Sequence, residues 1–313
     1  MPASRSKRTP TSPIIGAPSR AATPPGLTSH WATDEPERVI VDFHTHIFPL
    51  HVRDNREDFI ARDPTFAEMY ADPKAKIATA ADLLAHMDTS GVDVSVALGF
   101  AWQDHDDTVR HNDYTLDAAK ASDGRIVPFI TANMADARAV IEIERCAAAG
   151  ARGIGELRPD NQGWTLSGDD GRTLAETARR LGLILLFHVT EPGDRTYPGR
   201  LGCDVDDFVA FATDHPDVRI VGAHLGGDCF RTHTCPPNLY VDTAAQPFLY
   251  RGEDTGPALT APPADRILLG SDFPLITQQR QVTELRAVLP GDDRLSAALG
   301  ANAASLLGLT PNA

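Results

Sequence analysis

The chain has 313 residues, 42% of them hydrophobic, with 43 Asp and Glu against 29 Lys and Arg and a net charge of −14. That length and apolar content support one large packed unit. The acidity and the lack of a basic patch exclude nucleic acid as a partner, and no apolar run approaches the ~18 residues of a membrane helix.

Residues 1–38 stand apart. They hold seven prolines and no periodic apolar pattern, and five basic against three acidic side chains give them a charge of +2, leaving −16 for the rest. This composition reads as a disordered tail. An Arg- and Ser-rich start can also mark an organelle transit peptide, but the prolines oppose the amphipathic helix that such a peptide needs. No signal-peptide hydrophobic segment follows the basic start. The four cysteines, Cys146, Cys203, Cys229 and Cys235, include no Cys-x-x-Cys pair. They suit free thiols in a reducing cytoplasm, the expected location.

From residue 39 onward, apolar strands alternate with amphipathic helices. Strands are predicted at 39–46, 92–99, 126–133, 152–158, 183–190, 218–225, 238–243 and 266–271. Runs such as "LILLFHV" and "RIVGAHL" are apolar almost throughout, as parallel strands buried on both faces are. Helices are predicted at 79–90, 111–121, 136–149, 171–181, 204–214, 278–289 and 294–308. Eight strands in about 275 residues fit an α/β fold of the (β/α)8 TIM-barrel kind, a single domain over 39–313. The rival, a doubly wound open sheet, usually carries a Gly-rich turn after its first strand. Here "HTHIFPLHVRDNRED" follows, with no glycine. The insert 47–77 carries Phe48, Phe59, Phe66 and Tyr70, and reads either as a cap over a site or as a packed excursion.

In such a barrel the site lies at the C-terminal ends of the strands. Strand one ends in His44 and His46, whose side chains leave the same face. Strand four supplies Glu156 and Arg158, strand five His188, strand six His224 and strand eight Asp272. Any one of these histidines alone would be a hydrogen-bonded core residue more often than a ligand. Together they put four imidazoles and two carboxylates at one rim. Each interrupts an apolar run where an unpaired polar group is costly, and one or two divalent metal ions would satisfy them all. The ligand types suit zinc first, with manganese, iron or cobalt also fitting.

"DFHTHIFP", "LLFHVTEP", "VGAHLGG", "LLGSDFP" and the closing "NAASLLGL" together resemble the amidohydrolase superfamily. Within it, the chain resembles the amidohydrolase-related family-2 group that includes aminocarboxymuconate decarboxylase-like enzymes. The likeness covers residues 39–309. It implies a metal-bearing barrel in which His44, His46, His188 and Asp272 bind the principal ion. Glu156 would then either bridge two ions, the second held by His188 and His224, or pair with Arg158 or Arg152 inside the barrel.

The main expectation is a hydrolase that cleaves an amide, lactone or ester of a small molecule with metal-activated water. Asp272 would move the proton and His224 would polarise the carbonyl. The alternative is decarboxylation of an unsaturated or aromatic acid, with Arg158, Arg195 or Arg231 near the leaving carboxylate. A remote third is a barrel that binds metal without catalysis. Trp102 and Trp164 either line the pocket or pack the core. Cys229, His233 and Cys235 form no standard metal spacing, and "HLGGD" lacks the spacing of a nucleotide loop. "DHDD" at 104–107 reads as a solvated loop first and a helix cap second. A homo-oligomer suits such a barrel, although no segment signals an interface, and no membrane partner is expected.

Overall fold

The computed structural model describes residues 39–192, 196–250, 252–289 and 291–309. The expected tail, the transit-peptide alternative and Arg195 lie outside the described residues. Eight strands follow one another: β1 Val41–His46, β2 Val94–Leu98, β3 Ile126–Ile130, β4 Gly153–Leu157, β5 Ile184–Phe187, β6 Ile220–Gly222, β7 Leu239–Asp242 and β8 Ile267–Leu268. They lie side by side in sequence order, every pair parallel. The β8–β1 seam is closed by Phe43 N–H to Leu269 O at 2.7 Å, Asp272 N–H to His44 O at 2.9 Å and His46 N–H to Phe273 O at 2.8 Å. The fold is the (β/α)8 barrel that the alternating pattern predicts.

The sequence starts and stops the crossover helices locally. Thr79 and Asp82 form a reciprocal cap before the helix Ala80–Ser90, which Gly91 ends in the left-handed conformation. Asp204 caps the helix Val205–Asp214 through the N–H groups of Asp206 and Asp207. "DHDD" is not a solvated loop. Asp104 accepts the Asp107 N–H and caps a helix running His105–Ala121, six residues earlier than the apolar pattern suggests. The acidic first turn carries no apolar periodicity but suits the positive end of the helix.

Strand residues such as Phe43, Val96, Phe129, Leu186, Val221 and Leu268 pack into one buried cluster with Leu306 and Leu307 of the last helix. A larger cluster joins β3 to β8 with the helices laid over them. The insert 47–77 forms three short helices, Leu50–Asp54, Arg56–Arg62 and Pro64–Tyr70. Its Phe48, Phe59, Phe66 and Tyr70 pack with Phe100 and Trp102 into a separate aromatic cluster. The Phe66 and Trp102 rings stack, with centroids 5.4 Å apart. Both readings of the insert hold, because Met69, Tyr70, Ala75 and Lys76 also wall the cavity described next.

Candidate metal centre

The strand ends bring six side chains together. His44 Nε2 lies 3.1 Å from His46 Nε2, and both face Glu156 Oε2, at 3.7 and 3.5 Å. Asp272 Oδ1 lies 3.7 and 3.5 Å from the same two nitrogens. On the other side of Glu156, Oε1 is 2.8 Å from His188 Nδ1 and 3.5 Å from His224 Nε2. Those two nitrogens are 3.1 Å apart. Two sets of three could therefore hold an ion, His44–His46–Glu156 and Glu156–His188–His224, with Glu156 shared.

The proton arrangement tests the fit. His44 Nδ1 meets Asp242 Oδ2 at 2.8 Å, His188 Nε2 meets the Gly199 carbonyl at 2.7 Å, and His224 Nδ1 meets the Ala244 carbonyl at 3.1 Å. Each of these partners only accepts, so the outer nitrogen of each ring donates. The inner nitrogens of three histidines are then bare and aim their lone pairs at one another and at carboxylates. His188 Nδ1, His224 Nε2 and Glu156 Oε1 then meet with no proton among them, an arrangement that added positive charge balances. Two nitrogens that share an ion at about 2.1 Å stand roughly 3.0–3.4 Å apart, which the 3.1 Å separations match. The residues fit a divalent metal, and the outer hydrogen bonds are those that hold metal-binding imidazoles in one tautomer.

Titration says the same in other terms. Burial opposes a charged His46, but bonds to Asp272 and Glu156 outweigh it and hold its pKa at about 9. Burial likewise opposes ionisation of Asp272, yet His46 and His44 bring it down to about 2. Glu156 falls well below the ordinary value through His188 and His44 despite its burial. His224, also buried, is held well above the usual range by Glu191 and Glu156. The cluster attracts cations, and protons and a metal compete for the same lone pairs.

Backbone conformation sets the aim. His224 and Asp272 have φ of 58° and 61°, the left-handed region that non-glycine residues enter only when the surroundings enforce it. Residues 224–228 all have positive φ, so the "HLGGD" stretch turns back immediately after β6. Gly227 is required there, because a Cβ would sit 2.6 Å from the Thr190 carbonyl oxygen. The two glycines thus let the backbone turn tightly beside His224. Asp242 anchors the turn, its Oδ1 accepting the N–H of His224 at 3.1 Å and of Ala244 at 3.0 Å.

A cavity of about 400 Å3 opens above the cluster. His46, Glu156, His188, His224 and Asp272 form its polar floor, and Tyr70, Phe100, Phe248, Leu249, Pro274 and Leu275 are among its walls. A predominantly apolar pocket with a few convergent polar groups is the usual form of a small-molecule site.

The amidohydrolase family model matches residues 41–309. The chain belongs to the amidohydrolase family. No curated protein matches this amidohydrolase in sequence. Solved structures do match in fold. A 5-carboxyvanillate decarboxylase from Novosphingobium aromaticivorans, complexed with manganese and 4-hydroxy-3-methoxy-5-nitrobenzoic acid, is 15% identical with a TM-score of 0.70, covering 91% of this chain and 99% of that one. A 2,6-dihydroxybenzoate decarboxylase from Rhizobium is 17% identical with a TM-score of 0.63, covering 87% and 99%. A probable 2-pyrone-4,6-dicarboxylic acid hydrolase from Acinetobacter baumannii, with citric acid bound, is 13% identical with a TM-score of 0.60, covering 86% and 99%. At these identities the likenesses establish the shared barrel.

Within this amidohydrolase, the six residues expected at the metal converge, and three other expected residues behave differently from the simplest reading. Trp102 and Trp164 are buried in apolar clusters, 1% and 4% exposed, and neither lines the cavity. Trp102 instead donates to His111 Nδ1 at 2.9 Å. Arg158 does line the cavity, but it pairs with neither Glu156 nor a free space. Its two terminal nitrogens go to Glu68, Asp160 and the Leu201 carbonyl, which leaves the buried Nε as its one uncommitted donor. Arg152 bonds the Leu307 carbonyl rather than Glu156. Arg231 pairs with Asp228. His233 bonds Asp206 at 2.6 Å, and among the described residues no metal-holding group includes it or a cysteine. The four cysteines are free, and no described helix is long and apolar enough to cross a membrane.

Two further buried carboxylates stand at the site beyond those the strand ends predict. Asp242 ends β7 as plainly as Asp272 follows β8. Glu191 lines the cavity three residues after His188, 3.6 Å from His224 Nδ1.

Proposed function

We propose that this amidohydrolase is a metal-dependent decarboxylase of a small aromatic or unsaturated carboxylic acid. The observation that carries the reading is a cluster of histidines and carboxylates able to hold a metal ion, at the floor of a cavity walled by aromatic and aliphatic side chains. Such walls suit the carbon skeleton of an acid, and a bound cation gives its carboxylate a counter-charge. The 5-carboxyvanillate decarboxylase complexed with manganese and a substituted benzoic acid supports the same reading. It moves decarboxylation ahead of the hydrolysis expected from sequence, and manganese level with zinc. The probable hydrolase among the relatives keeps hydrolysis as the second reading.

His44, His46, His188 and Asp272 would hold the principal ion, with Glu156 between them and His224 beside it. When bound, a divalent ion supplies Lewis acidity that anchors and polarises the substrate's oxygen atoms. Asp242, Gly199 and Ala244 fix the imidazole tautomers. Tyr70, Phe100 and Phe248 hold the skeleton and exclude water. Asp272 and His224 flank the cavity floor and can carry a proton. Delivered to the carbon that bears the carboxylate, the proton forms the new C–H bond. The C–C bonding pair then returns to the skeleton as CO2 leaves. The partner is a small molecule, and the free thiols suit a reducing compartment.

The test supplies manganese- or zinc-loaded protein with a panel of hydroxylated benzoates and unsaturated diacids, and separately with lactones, esters and amides. CO2 release that is lost in Asp272→Asn supports decarboxylation. Turnover confined to the lactone, ester or amide panel overturns it in favour of hydrolysis.

A further inference from the structure

The insert contributes no residue to the metal-ligand set, yet one of its side chains is bonded to the loop that orients His188. Glu68, on the helix Pro64–Tyr70, accepts the Gly199 N–H at 2.9 Å through Oε1. The Gly199 carbonyl in turn accepts the His188 Nε2–H at 2.7 Å. Glu68 Oε2 is itself held, by Asn161 Nδ2 at 3.0 Å and by Arg158 at 3.4 Å. Gly199 sits in a turn closed by Arg200 N–H to Tyr197 O at 3.3 Å, preceded by Pro198 and with φ of 80°. That is the pattern of a type II turn, whose central N–H is left free by the turn itself. Glu68 takes that N–H. The loop is also seated directly on the helix, since a Cβ on Gly199 would lie 2.7 Å from Met69 Sδ.

We propose that Glu68 is a positioning residue for the metal centre, acting on His188 through Gly199. Glycine is the residue least able to hold its own carbonyl direction. The N–H and C=O of Gly199 belong to successive peptide planes joined only by its φ and ψ. Fixing the N–H therefore limits the swing of the carbonyl. The carbonyl keeps the His188 proton on Nε2 and leaves Nδ1 bare toward the ion. Partners outside the ligand set commonly change metal affinity by about 10–100-fold. Glu68 acts one bond further out, and its loss should weaken binding on the order of tenfold. The inference rests on the metal reading made above.

The test uses the full chain stripped of metal and titrated with Mn2+ or Zn2+ against a chromogenic chelator. Wild type, Glu68→Ala and Glu68→Gln are compared, with the thermal midpoint of each metal-free protein. Glutamine keeps an acceptor for Gly199 and so separates bond from charge. The expected result is a loss on the order of tenfold for Glu68→Ala, near wild-type affinity for Glu68→Gln, and metal-free midpoints that agree. Wild-type affinity in Glu68→Ala overturns the proposal. So does an equal loss in both variants, which would assign the effect to charge or general stability. A wild-type chain that takes up neither ion refutes the metal reading itself, a distinct outcome.

Discussion

Asp242→Asn separates the chemistry of the centre from its scaffold. Asp242 divides its oxygens: Oδ1 accepts the His224 and Ala244 N–H groups, and Oδ2 accepts from His44 Nδ1. Asparagine can keep its oxygen on the two backbone groups, which places its NH2 against His44 Nδ1. That nitrogen must then accept, so the ring proton moves to Nε2, the atom facing His46, Glu156 and Asp272. The wrong tautomer blocks a metal lone pair without emptying space. Tautomer-fixing partners are worth about 10–100-fold in affinity, or about 1.4–2.8 kcal/mol. Exchanging one charged hydrogen bond for a neutral one costs the fold about 1 kcal/mol, a shift of roughly 2 °C in a domain of this size. The assay is chelator competition with Mn2+ or Zn2+ beside thermal unfolding of the metal-free protein. Affinity within twofold of wild type would refute the tautomer argument. A collapse of the metal-free midpoint would show that Asp242 serves the fold more than His44.

Elemental analysis of Glu156→Ala should show less metal per chain than wild type, because Glu156 offers one oxygen to each histidine pair; unchanged content would reassign it to a purely structural role. His111 is buried between Trp102 and the Ile47 carbonyl, and burial depresses its pKa to about 4 from 6.5. Its contribution to stability is complete above pH 6.5 and is lost as pH falls towards 4, by about 3 kcal/mol. His111→Gln preserves both bonds and should flatten that acid limb of a stability–pH profile, and an identical profile would contradict the assignment. Trp102→Phe should lower thermal stability by about 1–3 kcal/mol while leaving substrate KM unchanged, since Trp102 lies outside the cavity. A severalfold rise in KM at constant stability would restore it to the binding surface.

The strands and their polar ends were legible because each is a local signal, a short apolar run that stops at a histidine or carboxylate. Asp242 has the same signature in "LYVD", yet its function depends on His44, 198 residues away. Nothing in either segment announces that meeting, which the curvature of the closed sheet creates. Trp102 and Trp164 follow strands and so look like pocket residues. Their burial comes from the insert and neighbouring helices, whose path over the rim has no sequence period. Arg158 has the charge of a substrate clamp, but Glu68, Asp160 and the Leu201 carbonyl, which engage its terminal nitrogens, come from two other segments and from the next turn of chain.

The seam between β1 and β8 joins the two ends of the barrel. It is closed across more than 220 residues, so it carries the largest loop-closure cost of any strand pair. It is also served by the shortest strand, two residues long. His44 and His46 stand on one side of this joint and Asp272 on the other. An ion gripped by all three would act as a clasp, applying its binding energy at the joint that most needs it. Loading the centre and shutting the barrel would then be two descriptions of one event.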